Sequence, residues 1–434
     1  MLDINYIRSN PDRVKEFSKQ KGYQVDVDNV LRLDERRRSL GRAIDKLREE
    51  RNSVASSMKQ SAKPSPEVIA NGKRIKEELS TLEEELRHID QDYIFLLKQI
   101  PNAPTADVPI GTTEDENVVA ELIGEPTEFD FAPKNHWEIG QTRGWIDKER
   151  AAKVAGSRFA YIMGDLVKLQ MAIVQFTIDT LSDESKIREI ITSAGLEGVS
   201  TKPFTPVLPP FMIRTDLYDA MDRLEPRDDR YKIEGDELWL QGSAEHVLGS
   251  MHADEIFAEA DLPIRYLGYA TSFRQEAGTY GKDMEGILRM HQFDKLEMES
   301  FTTQESGLSE HLFFVAIQKY LLAQLGLPFR VLQKCTFDIG KPNARGIDME
   351  VWLPGQDQYR ETHTADYMTD YQARRLKTRV RRTNGEVELI HTNDATAFAL
   401  GRIMIAVIEN YQTADQRVNI PPVLQKYLGG LVQI

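Results

Sequence analysis

The sequence predicts an α+β chain: a long antiparallel α-helical coiled-coil hairpin followed by a larger domain built on an antiparallel sheet flanked by helices. Two observations carry this. Apolar residues between Leu33 and Ile100 recur at alternating spacings of three and four, in two runs separated by Lys63-Pro64-Ser65-Pro66. Between Thr271 and Glu297, TSFRQEAGTYGKDMEGILRMHQFDKLE, the period turns to two on either side of a glycine-containing loop.

Residues 1–27 read as a helical preface, with Asn10-Pro11-Asp12 as a helix start. The first heptad run is Leu33, Leu40, Ile44, Leu47, Val54 and Met58, with Arg37 and Arg51 in the skipped seam positions. The second run is Val68, Gly72, Ile75, Leu79, Leu82, Leu86, Ile89, Tyr93, Leu96 and Ile100. The prolines between them force a loop, because neither helix can run through them. Two helices of about 30 residues make an arm on the order of 45–50 Å long, with too little core to house a catalytic domain. Such arms commonly space or oligomerise. Here Arg36, Arg37, Arg38, Arg42, Lys46, Arg48 and Arg51 outnumber Asp45, Glu49 and Glu50, which points to a phosphate backbone as partner. The net charge of −14 argues against diffuse nucleic-acid binding elsewhere on the surface.

The expected division is an arm over 1–104 and a second domain over 105–434, entered through a Pro-, Gly- and acid-rich linker at about 105–135. A helix is expected over Leu166–Leu181. Pro206, Pro209 and Pro210 demote Phe204–Met212 to an edge strand or a subunit boundary. Residues 238–245 read as a strand entering a polar turn, with Ser243 placed to cap a helix that starts near Glu245. Further on come a helix over Ser309–Leu325 and strands around Phe329–Leu332 and Asp348–Leu353. Gln372–Arg382 reads as a strand with a solvated basic face. Residues 389–396 lead into a buried helix, Ala397–Tyr411, whose Arg402 requires an anionic partner. Asp394 is a candidate cap for that helix. The longest apolar runs, such as Ile403–Ile408, are far too short to cross a bilayer, so no membrane partner is expected. The first residues hold no apolar signal core, so a cytoplasmic location is expected. A single cysteine, Cys335, rules out an internal disulfide and a multi-cysteine zinc site, and no zinc is expected.

Chemistry concentrates in the 271–297 stretch. Period two sets Arg274 and Glu276 on one face of the first strand, and Arg289, His291, Phe293, Lys295 and Glu297 on one face of the second. Leu288, Met290, Leu296 and Met298 fall on the other. Guanidinium groups, carboxylates and an aromatic ring on one surface suit a phosphate chain, an amine and a flat base. Salt bridges on an open sheet face would leave the same pattern. The ten residues Ala277 to Gly286, with three glycines, are enough for a loop that closes over a ligand.

FRQEAG followed by ILRMHQFDKLE resembles motif 2 of the class II aminoacyl-tRNA synthetases, in the form found in seryl-tRNA synthetases. The resemblance runs from the MLDI start to Tyr427-Leu428-Gly429-Gly430. It includes Pro101-Asn102-Ala103-Pro104 at the end of the arm, Ser243-Ala244-Glu245 in place of the family's Thr-Ala-Glu, and Trp352-Leu353-Pro354-Gly355-Gln356 followed by Glu361. Gly401-Arg402 matches motif 3, and the 204–212 segment corresponds to motif 1, which implies a homodimer.

The implied activity is that of a serine–tRNA ligase: serine and ATP give seryl-adenylate and pyrophosphate, and serine passes to the 3′ end of tRNA(Ser), and of tRNA(Sec) where present. The resemblance assigns catalytic roles to Arg274, Glu276 and Arg402. It assigns ATP contacts to Arg274, Gln275, Glu276, Arg289, Phe293, Glu361, Thr362, His363, Thr364 and Arg402, and Mg²⁺ to Glu361 and Thr364. Serine contacts fall to Ser243, Ala244, Glu245, Arg274, Glu297 and Thr396. The seven basic residues of the first arm helix would hold the long variable arm of the tRNA. Two segments depart from the family pattern: Thr362-His363-Thr364-Ala365-Asp366-Tyr367, where small hydroxyl residues are usual, and Asp394-Ala395-Thr396-Ala397, where Asn-Gly-Ser-Gly is usual. They leave open a paralogue with a binding or regulatory role, or one that loads serine onto an acceptor other than tRNA.

Overall fold

The computed structural model describes residues 1–60, 65–277 and 286–434. The chain forms two compact units, Met1–Ala103 and Pro104–Ile434.

The first unit comprises α1 (Ile4–Ser9), α2 (Pro11–Gln20), α3 (Val27–Gln60) and α4 (Pro66–Leu97). Asp3 caps α1 by accepting from the Asn5 amide at 2.6 Å, and Pro11 opens α2, where its missing N–H costs nothing. Ser65 caps α4 by accepting from the Val68 amide at 3.3 Å. The two long helices pack through the predicted heptad residues: Ile44, Ile75 and Leu79 are buried, with Leu47, Val54, Leu82 and Leu86 against them. Arg37, at a skipped seam position, stacks 4.1 Å from the Tyr93 ring centroid and bonds Asp90, so a polar side chain is accommodated in the seam. Ile7, Val14, Phe17, Val30, Leu33, Leu97 and Ile100 close a second core at the base. Of the connecting loop, Lys63 and Pro64 lie outside the described residues.

The second unit is built on an eight-stranded sheet. Its strands are β1 (Val118–Ile123), β2 (Thr205–Val207), β3 (Ile264–Phe273), β4 (Gln292–Thr302), β5 (Phe329–Gln333), β6 (Arg345–Leu353), β7 (Gln358–Thr369) and β8 (His391–Ala399). Their order is β1-β5-β6-β7-β8-β4-β3-β2. Every pairing is antiparallel except that of the edge strand β2 with β3. The helices α5 (Asp165–Leu181), α7 (Gly307–Gln324) and α8 (Leu400–Asn410) bury Leu169, Phe313, Ile317 and Ile403 against Leu296, Met298, Met349 and Ala395 of one sheet face. Alternation then turns Glu297, Glu299, Asp394, Thr396, Thr364 and Asp366 to the other face. The short helix α6 (Glu245–Ser250) lies over that face, its Leu248 packed with Ala270 of β3. Among the described residues no helix is long and apolar enough to cross a membrane.

Several boundaries differ from the sequence expectation. The 105–135 stretch is more than a linker, since it supplies β1 as a sheet edge. Residues Ala397–Ala399 extend strand β8, so the following helix starts at Leu400, and Asp394 sits within a strand and caps nothing. The basic Gln372–Arg382 segment is half helix: Tyr371–Leu376 is helical, Lys377 turns the chain at φ 58°, and only Arg379–Arg381 is strand. Cys335 lies just beyond β5, fully buried against Gly111, where a Cβ would come within 2.6 Å of its sulfur.

Candidate active site

A cleft opens over the end of the sheet where β3 and β4 part. It gathers Arg274, Glu276, Arg289, Phe293, Glu361, Thr364 and Arg402, with Lys295 at its floor. These residues come from three segments far apart in sequence, and each is placed by a different local device.

The hairpin is shorter than the period suggests. β3 ends at Phe273, which pairs with Gln292 at the start of β4. Arg274, Glu276, Arg289 and His291 therefore do not sit in strands, and strand parity does not set their directions. The chain peels away because Gln275 bonds outward, its amide to Asp229 O at 3.1 Å and its side chain to Arg230 O at 2.9 Å. Glu276 then adopts φ 50°, a left-handed conformation that costs a non-glycine residue energy. Its carbonyl accepts from Arg158 at 2.6 Å and its carboxylate meets Arg289 at 2.9 Å. His291 steadies the neck, with its ring 2.9 Å from Arg274 O. Residues 278–285 of the expected closing loop lie outside the described residues. Arg274 donates through Nε to Gly242 O at 2.9 Å and lies over the Phe293 ring, 5.5 Å from its centroid.

On β7 a bulge does the placing. Asp348 pairs with Thr364, Met349 with His363, but Glu350 with Glu361, so Thr362 is the extra residue. Three residues apart, Glu361 and Thr364 would point oppositely in a regular strand. The bulge brings both to the cleft. It also turns His363 into the core, fully buried against Phe398 and 2.8 Å from the Thr362 hydroxyl, which removes it from the expected nucleotide contacts. Burial lowers the His363 pKa to about 3, so the ring is neutral. Arg402 reaches Glu361 at 3.0 Å from the first turn of α8. Gly401 before it allows the close pass of the Ile287 carbonyl, 3.2 Å from where a Cβ would stand.

Deeper in the cleft, β4 delivers Lys295 and Glu297 to one face, as the sequence pattern predicts. The Lys295 ammonium is 2.5 Å from Glu297 Oε2 and 3.0 Å from Ser243 Oγ, and all three side chains are buried. Ser243 is thus a partner of Lys295 and caps no helix. Thr396 pairs with Glu297 across the sheet, which places its hydroxyl residue beside that carboxylate. Burial would raise the Glu245 carboxyl, but Lys295, His246 and Arg223 hold it well below the usual range. Burial pushes Glu297 and Glu299 well above that range, more than Lys295 offsets at Glu297.

Lys295 lines the cleft and Arg223 and Glu299 lie behind it, and the sequence reading assigned none of them. Lys295 and Glu299 were visible as the continuation of the period-two face, FDKLEME. Arg223 had no local signal, because only the tertiary fold brings it to Asp394 at 3.1 Å.

A pH effect follows from the two raised glutamates. Their folded pKa values lie above the unfolded value near 4.3, so above about pH 4 the folded chain holds more protons and loses stability as pH rises. Replacing Glu299 with Gln removes one such group. Its neighbours Asp394, Glu245, Glu297 and Arg223 stay in place. The expected result is a variant that gains on the wild type as pH rises from about 4, by about 1.4 kcal/mol per unit of pKa separation. Thermal melts that shift in parallel for both proteins as pH rises would contradict it.

The expected basic surface of α3 is largely paired. Arg36 meets Glu85 at 2.5 Å and Arg48 meets Glu83 at 2.9 Å, both on α4, while Arg38 and Arg42 lie 3.7 and 3.5 Å from Glu35. Among the described residues Lys46 and Arg51 carry no ion pair. These pairs are exposed and individually weak, so a polyanion can displace them.

An open antiparallel sheet with an arginine-lined cleft at the β3–β4 neck and a second arginine at the start of α8 is the core of a class II aminoacyl-tRNA synthetase. The class II core domain shared by the Gly, His, Pro, Ser and Thr enzymes matches residues 230–411, and the seryl-tRNA synthetase N-terminal domain matches residues 1–104. The serine–tRNA ligase of Thermodesulfovibrio yellowstonii is 38% identical over 437 aligned positions, covering 99% of each chain. That of Symbiobacterium thermophilum is 37% identical, with 98% of each covered. The crystal structure of the Pyrococcus horikoshii seryl-tRNA synthetase complexed with ATP superposes with a TM-score of 0.88 at 34% identity, covering 100% of this chain and 99% of that one. The Naegleria fowleri cytoplasmic serine–tRNA ligase in complex with AMP gives 0.84 at 27%, covering 100% and 98%. The chain belongs to the seryl-tRNA synthetase family.

Proposed function

We propose that the chain is a serine–tRNA ligase that forms seryl-adenylate in the cleft at the β3–β4 neck and transfers serine to tRNA(Ser), and to tRNA(Sec) where present. The observation that carries this reading is the convergence on one cleft of Arg274, of Lys295 with Glu297 paired behind it, and of the Arg402–Glu361 pair. A serine carboxylate oxygen attacks the α-phosphorus of ATP, the bond to the β-phosphate breaks, and pyrophosphate leaves. Two anions must approach, so catalysis is alignment and positive charge more than proton transfer. Arg274, fixed through Nε, keeps both terminal nitrogens for the α-phosphate and the serine carboxylate. Phe293 and Arg402 flank the adenine, Arg289 and Glu276 meet the terminal phosphates and the base, and Gln275 contributes backbone only, since its side chain is tied to Arg230. Glu245, Glu297, Ser243 and Thr396 surround serine, with Ala244 as packing. Serine-dependent exchange of pyrophosphate into ATP tests the reading.

Glu361 and Thr364, two hard oxygen donors that the bulge brings to the cleft, would hold Mg²⁺, an ion that prefers oxygen ligands. When bound, the ion neutralises phosphate charge. Thr362 contributes to this site through the bulge, its hydroxyl turned to Met349 O.

The arm reads the tRNA through Arg36, Arg37, Arg38, Arg42, Lys46, Arg48 and Arg51. Reversing Arg42, Lys46 and Arg51 to Glu is expected to leave exchange intact and to raise the KM for tRNA at least about tenfold, with a shallower salt dependence. Unchanged aminoacylation at 200 mM salt would remove the arm assignment. A homodimer fits the exposed apolar side chains Val167, Met171, Leu208, Phe211 and Met212, of which Leu208 is 81% exposed. Equilibrium sedimentation should give twice the chain mass, and Leu208→Asp should weaken the association. A monomer at micromolar concentration would contradict it.

A further inference from the structure

Behind Lys295, the sheet face under α6 holds more acid than one ammonium group accounts for. Glu297 and Glu299 point to the same sheet face from adjacent transverse rows. The row of Glu297 continues through Thr396 to Thr364, and the next row carries Glu299, Asp394 and Asp366 side by side. Glu245 on α6 adds a fifth carboxylate. Among the described residues the cations nearest these five are Lys295, held by Ser243 and Glu297, Arg223, held by Asp394 at 3.1 Å and by Asp366 at 3.9 Å, and Lys334, which acts on Asp366 but is held by Asp348 at 3.4 Å and Asp338 at 3.7 Å, while the His246 ring lies 3.4 Å from Glu245.

Glu299 is left over. It is 0% exposed, and neither of its carboxylate oxygens has a hydrogen-bond partner among the described residues. The helix above it presents Gly249, where a Cβ would fall 3.4 Å from Glu299 Oε1 and 2.5 Å from Met221 Cε, so no side chain of α6 supplies the missing donor. A buried carboxylate without a donor is costly to a folded chain. The described carboxylates form no group arranged to hold a metal ion.

We infer that this second acidic row is a subsite for a second ammonium group, so that the cleft also takes a 2-amino acid whose short side chain ends in an amine, 2,4-diaminobutyrate or ornithine. The inference rests on the adenylation reading above. The α-ammonium lies at Glu297, and the side chain runs one row deeper, roughly 7 Å along the strand, to Glu299. Arg223 holds Asp394 and Asp366 in place as the walls of that row. The substrate carboxylate stays at Arg274, and its oxygen attacks the α-phosphorus with loss of pyrophosphate as for serine.

The test is ATP–pyrophosphate exchange by the full chain with serine, with 2,4-diaminobutyrate against its hydroxyl counterpart homoserine, and with ornithine against 5-hydroxynorvaline. At least one diamino acid is expected to exceed its hydroxyl counterpart in kcat/KM by about tenfold or more, because the unpaired acid rewards a cation. Glu299→Gln should lower that ratio about tenfold. Asp394→Asn serves as the second variant should the first fold poorly. Exchange with serine but no preference for either diamino acid overturns the subsite while adenylation stands. A preference that both variants leave unmoved overturns the assignment to this row. Absence of exchange with every amino acid overturns the adenylation reading, and this one with it.

Discussion

Arg274→Lys lowers serine-dependent ATP–pyrophosphate exchange by about a hundred- to a thousandfold, while the melting temperature stays within a few degrees of the wild type. The guanidinium does three things at once: Nε is spent on Gly242 O, the plane lies over Phe293, and the terminal nitrogens remain for ligand. An ammonium offers one point of charge and cannot keep the Gly242 bond while bridging a phosphate and a carboxylate. The loss is the scale seen when one preorganised donor to a developing negative charge is removed. Because Arg274 lies beyond the end of β3, no ladder pairing depends on it. A lysine variant with more than a tenth of wild-type exchange would show that Arg274 only shapes the neck.

Glu297→Ala abolishes serine-dependent exchange and the fold survives. Glu297 is 1% exposed and meets Lys295 at 2.5 Å, at the row where Thr396 stands opposite. Removing one member of a buried charge pair usually costs several kcal/mol through the charge left behind. Here Lys295 keeps Ser243 and the nearby Glu245, so the structural penalty is reduced. For the isosteric Glu297→Gln the loss is in serine binding, about 2–5 kcal/mol, or roughly one and a half to three and a half decades in kcat/KM. A drop in exchange that follows loss of the near-ultraviolet dichroism would mean that Glu297 holds the core and not the substrate.

The arm was legible because heptad spacing is local, and two runs between Leu33 and Ile100, divided by a proline-containing loop, carry it. What spacing could not convey is that Glu83, Glu85 and Asp90 on the second helix answer Arg48, Arg36 and Arg37 on the first, which leaves the basic surface mostly paired. In the catalytic unit, period two located Lys295 and Glu297 on the working face and would have located Glu299 had it been followed one step further. It failed at Arg274, Glu276 and Arg289, where the chain leaves the sheet and a left-handed Glu276 sets direction. The bulge at Thr362 was invisible for the same reason: it exists only in the register between β6 and β7, and it decides that Thr364 faces the cleft while His363 does not. Arg223 depends on long-range packing altogether. Tools of local pattern find elements and faces, and the departures fall where backbone geometry is irregular or where partners come from distant segments.

The most direct test of the adenylation site is amino-acid-dependent ATP–pyrophosphate exchange by the intact chain with serine, alanine, glycine and threonine. Serine is predicted to drive exchange; alanine and glycine, which leave the polar pocket unpaired, should fall by at least about a hundredfold, and threonine by about ten- to two-hundredfold for one methyl. Exchange that is absent with serine, or as fast with alanine as with serine, would contradict it.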